Sequence, residues 1–260
     1  MILKEEKVVF VHINKCAGSS IEVFFNEYPK DQHWVMKEYE EKVRNWEDIE
    51  YVFTVVRNPW DKLVSWFAWC NRDELWYNWR QANVQIYHQN SYLWGMHDGH
   101  PKVTEEWYDK FKNPFKKFVK SIKNTNNIYP FPVYEESSWN KGRWVANQTE
   151  WLKDSTGELD VDKFLKFENL EEDFKEMVGE IKPMFSEKAQ KIFNKQLPKA
   201  KVLKNKPHYS LFYDDELIEI VGNLYKEDID TFNYSFEDER PKKRVVKKRV
   251  ANKKAKRKKA

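Results

Sequence analysis

Two short stretches of nearly unbroken apolar residues stand out along this chain: Val8, Val9, Phe10, Val11 and Ile13, and then Tyr51 to Val56. A run that is apolar on both faces and rich in β-branched and aromatic residues predicts a strand buried inside a parallel sheet. Each run passes into a helical pattern. Ile21, Val23, Phe24 and Phe25 predict a helix after the first, and residues 59–70 predict one after the second, with Pro59 fitted to its first turn. Residues 33–36 read as a short strand or loop that leads into a helix rich in Glu and Lys. Phe115, Phe118, Val119 and Ile122 recur at helical spacing and predict a helix over 114–122. Residues 160–167 predict a further strand, 168–178 its helix, and 186–196 and 214–225 two closing helices. Strands alternating with helices predict an α/β fold of three layers, a central parallel sheet flanked by helices. Right-handed crossovers then bring the carboxyl ends of both apolar runs to one edge of the sheet, where ligands bind in such folds.

That edge is chemically loaded. After the first run the chain reads Asn14, Lys15, Cys16, Ala17, Gly18, Ser19, Ser20, a cation, a glycine and two hydroxyls where a helix begins. Outward N–H groups and the helix dipole make such a turn a cradle for phosphate or sulfate. The second run ends at Arg57, and Ser65 follows eight residues later on the next helix, so the two are placed to grip a second anion. The fold is thus P-loop-like, but the first turn is not a nucleotide-hydrolysing P-loop, because Lys15 precedes Gly18 instead of following a second glycine.

These segments resemble the sulfotransferase family, closest to its carbohydrate-type branch. HINKCAGSS is similar to the family's HIPKTGGTS, VVRNPWDKLVS to VVRNPWDRLVS, and KFENLEEDF to RYENLxxDF. The stretch HYSLFYDDELIEIVGNLYKEDIDTFNYSF resembles YxxYYDxELxxxVxxxYxxDIxxFGYxF, so the likeness runs from about residue 7 to 236. Asn14 stands in place of a proline, Cys16 and Ala17 in place of Thr-Gly, and Asn233 in place of a glycine. The resemblance implies 3′-phosphoadenosine 5′-phosphosulfate as sulfuryl donor, no required metal, and a hydroxyl on a glycan as acceptor. It implies donor binding by residues 14–20, with Arg57 and Ser65 on the 3′-phosphate and Lys206 in a loop that covers the site. Lys15 would stabilise the leaving phosphate oxygen. His33 would be the general base, since related sequences resemble HxTAxEI at this place. Glu22, His12 and His208 are the other bases available. His97 and His100 lack the further ligands that a metal site needs.

Composition changes the picture in three ways. A chain of 260 residues with 40% hydrophobic content supports one substantial core, taken as a single domain over residues 1–239. Residues 71–110 break the periodicity and concentrate Trp76, Trp79, Trp94 and Trp107 with several tyrosines. This aromatic-rich insertion would stack on sugar rings or pack a loop-rich subdomain. Residues 197–212 form a basic loop punctuated by prolines, the pattern of a lid. The net charge of +4 conceals an asymmetry: residues 240–260 hold 13 Lys or Arg and no acid, leaving 33 bases against 42 acids before them. Such a tail reads as disordered and suited to contact with a polyanion. Two cysteines, Cys16 and Cys70, give no disulfide framework. No signal peptide or integral membrane segment is evident, and the expectation is a cytoplasmic protein of bacterial or viral type. Two other readings stand beside the transferase: a nucleotide-dependent kinase of related fold, which needs a Walker-type lysine and a Mg²⁺ site, and an inactive sulfotransferase-like scaffold that binds polyanions.

Overall fold

A computed structural model describes residues 2–3, 7–26, 33–70, 105–124, 145–199 and 207–241. Among these, three strands form one parallel sheet in the order β1 (Val8–Val11), β2 (Tyr51–Val56), β3 (Lys163–Lys166). Val8 pairs with Tyr51 and Val11 with Thr54, and on the other side of β2 Val56 pairs with Lys166. Every residue of β1 and β2 is buried, as expected of runs apolar on both faces. Because β1 and β2 are adjacent and parallel, the turns that follow them lie side by side.

The buried apolar residues fall into two clusters. The first gathers the sheet, α1 (Gly18–Phe25), α2 (Met36–Lys42), α5 (Thr149–Leu152) and α6 (Leu170–Ile181), with Phe24 edge-on to Phe174 at 4.7 Å. The second gathers α3 (Pro59–Cys70), α4 (Glu105–Asn124), the turn Tyr209–Phe212 and α7 (Asp215–Leu224). Its centre is Phe115, packed against Phe67, Phe212 and Tyr213. α8 (Lys226–Phe232) closes the order, with Phe232 in the first cluster. Asp214 caps α7 by accepting the Leu217 N–H at 3.0 Å. No helix among the described residues is long and apolar enough to cross a membrane.

Several expected boundaries move. α4 begins at Glu105, inside the stretch read as irregular, and carries Pro114 in its interior. The missing Pro114 N–H costs a single intrahelical bond, which the helix tolerates where Phe115, Phe118 and Val119 are buried just beyond it. The helix expected over 186–196 is a tighter 3₁₀ segment, Ala189–Asn194. Confined between Pro183 and Pro198, it turns Phe193 onto Phe24, Phe25 and Phe185. β3 is shorter than the expected strand at both ends: it starts at Lys163 instead of 160, and it stops at Lys166 because residues 167–169 already coil into a 3₁₀ turn.

Candidate active site

β1 ends at Val11, and residues 14–17 form a turn in which Lys15 and Ala17 take φ values of 64° and 58°. A left-handed conformation costs an L-residue roughly 1–2 kcal/mol and persists only where the surroundings impose it. Two long-range contacts impose it here. Arg57 donates from Nη1 to the Lys15 carbonyl at 2.8 Å, and the Cys16 thiol donates to Gln148 Oε1 at 3.3 Å. Gly18 then opens α1. A Cβ on Gly18 would lie 1.8 Å from His12 Nε2, so the imidazole packed against it demands a glycine.

Exposure alternates along this turn. Lys15, Ala17 and Ser19 keep contact with solvent, whereas Asn14, Cys16, Gly18 and Ser20 are buried. Ala17 caps α1 without a side-chain hydrogen bond, and no acid lies in the first helical turn. The dipole at this end therefore stays electropositive, adding to the Lys15 ammonium and the Ser19 hydroxyl.

The second turn is built differently. Arg57 is 6% exposed, and its guanidinium donates from Nε and Nη2 to Asp61 Oδ2 at 2.9 and 2.6 Å while lying 3.9 Å over the Phe167 ring. Asn58 offers its N–H to Glu168 Oε1 at 2.7 Å. Asp61 and Ser65 are one helical turn apart on α3, so Asp61 stands between the arginine and the half-buried serine. The expected pair is thus on one face, with a carboxylate between its members.

The model of the sulfotransferase family matches residues 1–235, which include β1, both turns, β3 and α8. The chain belongs to the sulfotransferase family. Neither a curated protein nor a solved structure matches it. The family match supports sulfotransferase activity in general.

In this sulfotransferase His33 sits beside the first turn. Its Nδ1 lies 3.2 Å from the His12 carbonyl, and the two imidazole rings are 4.4 Å apart. A carbonyl only accepts, so Nδ1 carries the proton and Nε2 is the basic nitrogen. Trp151 meets the His33 ring edge-on at 6.2 Å. His12, only 7% exposed, places Nδ1 2.8 Å from Glu22 Oε1 but outside hydrogen-bond alignment. Buried His12, packed against Gly18, and half-buried Glu22 thus lie next to each other. His208 lies elsewhere, at the start of the turn Tyr209–Phe212, with Nδ1 2.9 Å from Ser210 Oγ. Lys206, His97, His100, residues 71–104 and residues 242–260 fall outside the described residues. Arg240, at the root of the basic segment, is held by Asp215 and Asp238.

Behind the turns lies a polar layer that the motifs did not announce. Gln148, Asp228 and Lys62 are buried. Asp228 accepts the backbone N–H groups of Gln148 and Thr149 at 2.8 and 3.0 Å. Burial raises its pKa above the usual carboxylate range despite these donors. Burial also lowers the pKa of Lys62, whose Nζ reaches the Ala146 carbonyl at 3.5 Å. The Cys16 thiol is pushed up to about 12 by burial, which keeps it a neutral hydrogen-bond donor. Glu168 is exposed as a residue, yet desolvation of its carboxylate raises its pKa as well, while it accepts from Asn58 and from the Tyr234 hydroxyl at 3.1 Å. Asp228 and Glu168 lie in segments whose family likeness was visible, but nothing in the spacing said that they brace the turns.

Proposed function

We propose that this sulfotransferase takes 3′-phosphoadenosine 5′-phosphosulfate as donor and transfers the sulfuryl group to a glycan hydroxyl by a single in-line displacement. The observation that carries the reading is the junction of the two turns. Lys15 stands beside an uncapped, electropositive helix start, and Arg57 from the neighbouring strand holds its carbonyl. The acceptor oxygen forms a bond to sulfur as the bond from sulfur to the phosphate oxygen breaks, and the adenosine 3′,5′-bisphosphate leaves. Lys15 places its ammonium where charge grows on that leaving oxygen, an interaction stronger in the transition state than before it. His33 takes the hydroxyl proton on Nε2, the nitrogen that its bond to the His12 carbonyl leaves basic. Residues 14–20 with Arg57 and Ser65 hold the donor, and Lys206 covers it. Arg57 already spends its Nε–H and one N–H each of Nη1 and Nη2 within the protein, so a 3′-phosphate would meet the one N–H left on each terminal nitrogen of its fork. The displacement so written needs no metal. A cytoplasmic location, and contact of the basic tail with a polyanion, belong to the same reading.

The test is incubation of the full chain with donor labelled at sulfur and a panel of oligosaccharides, lipids and peptides. Label on a glycan is expected. Label only on peptide or lipid would overturn the acceptor. Transfer of label from γ-labelled ATP, with none from the sulfuryl donor, would favour the kinase.

A further inference from the structure

We propose that Gln148 is a positioning residue, whose side-chain amide sets the spacing between the two anion-binding turns. This rests on the donor reading above for its functional consequence, but the clamp itself rests on geometry. Gln148 is fully buried, and its amide makes four contacts. Oε1 accepts the Arg57 N–H at 2.8 Å and the Cys16 thiol at 3.3 Å. Nε2 donates to the Arg57 carbonyl at 2.9 Å and to Asp228 Oδ2 at 3.1 Å. Two lone pairs and two N–H groups are the whole capacity of an amide, and all are used. Chemistry also decides which way the amide faces: the Arg57 N–H can only donate, and the Arg57 carbonyl can only accept.

Arg57 is the first residue past β2, where strand pairing has ended at Val56. By taking both its N–H and its C=O, the glutamine side chain imitates the peptide group of a neighbouring strand and prolongs the pairing by one residue. The same oxygen holds Cys16, between the two left-handed residues of the first turn. One amide therefore ties both turns together, and Asp228, anchored to the Gln148 and Thr149 N–H groups, fixes the amide from behind. Lys15 and Arg57 are then held at one separation before a ligand arrives.

Two grips at a set distance bind a bisphosphate with an effective concentration that independent grips lack. Gln148→Met keeps the size and removes every polar contact. Its amide exchange, followed by mass spectrometry on the unliganded protein, should rise in the peptides covering both 13–18 and 57–60, with the peptides of α4 and α7 unchanged. Calorimetry should show that its preference for adenosine 3′,5′-bisphosphate over adenosine 5′-monophosphate falls about ten-fold or more, because only the bisphosphate needs both turns in register. Gln148→Glu serves where the methionine variant does not fold. A protonated carboxyl restores one donor, so that variant should regain part of the preference and of the exchange protection as the pH is lowered from about 8 to about 6. Unchanged exchange at either turn in a folded variant would overturn the clamp. A wild type that ignores the 3′-phosphate would overturn the donor reading instead, and exchange would still judge the clamp. Loosened turns with the wild-type nucleotide preference retained would show Gln148 to be structural only.

Discussion

Lys15 and Arg57 stand at equivalent points, each just beyond a buried parallel strand and just before a helix, yet their surroundings give them different work. Around Lys15 the backbone is strained, the helix start is uncapped and alternate residues keep contact with solvent. Around Arg57 nearly everything is engaged: the guanidinium with Asp61, Lys15 and Phe167, the backbone with Gln148. A half-buried lysine on a strained turn is a compact point charge. An arginine over a ring and forked onto a carboxylate is a strut with part of its fork left over. The lesson is that two cations in like motifs need not be built alike: Arg57 is tied into its surroundings and reaches across to hold the Lys15 carbonyl.

The sharpest way to break this comparison is to remove the strut. Arg57→Ala takes from Asp61, a largely buried carboxylate, the guanidinium it pairs with, and loss of one partner from a buried pair costs about 3–5 kcal/mol. Urea denaturation should register that loss, and Arg57→Ala/Asp61→Ala should recover part of it. A single variant as stable as the wild type would show that Arg57 supports nothing.

Lys15→Met should behave in the opposite manner. Its stability should stay close to that of the wild type, while turnover with labelled donor falls by about two orders of magnitude or more, the scale of losing one oriented charge stabiliser. Turnover that persists would remove Lys15 from the chemistry.

A smaller kinetic effect tests the group beside the first turn. His33→Ala should lower turnover with little change in donor affinity, and the acidic limb of its pH–rate profile should vanish, because that limb reports protonation of the base. If both rate and limb survive, the proton goes to Glu22, His12 or His208. The smallest effect is on strain. Ala17→Gly should raise stability by about 1 kcal/mol or less, the left-handed penalty relieved less the extra freedom of the unfolded chain. A destabilised variant would mean that Ala17 gains more from its methyl contacts than it loses to its backbone.

Much of the fold could be read directly. Val8–Val11 and Tyr51–Val56 are strands because no polar residue interrupts them except Thr54, whose hydroxyl finds the Val11 carbonyl at 2.8 Å. α3 starts at Pro59, and α7 lies within one residue of expectation at each end because Asp214 caps it. The glycines that the family pattern carries at positions 17 and 233 find their reason here, since Ala17 and Asn233 both have positive φ. Asparagine tolerates that region better than alanine, so the departure at 233 is the milder one. The reach of α4 upstream of Pro114 was hidden, because a proline reads as a helix start even where the helix accepts it inside.

Local order follows from neighbours a few residues apart, and a sequence carries such information as periodicity, caps and turn residues. So the alternation of strand and helix, the cationic turn with its glycine, and the family itself were settled by the chain alone. Which polar groups meet was not. Gln148 bonds Arg57 from 91 positions away and Asp228 from 80, and such partners leave no spacing for a pattern to reveal. Packing decided those encounters: once the sheet and α8 enclose these groups, each buried donor or acceptor must find a partner within reach, at a cost of about 1–3 kcal/mol if it fails.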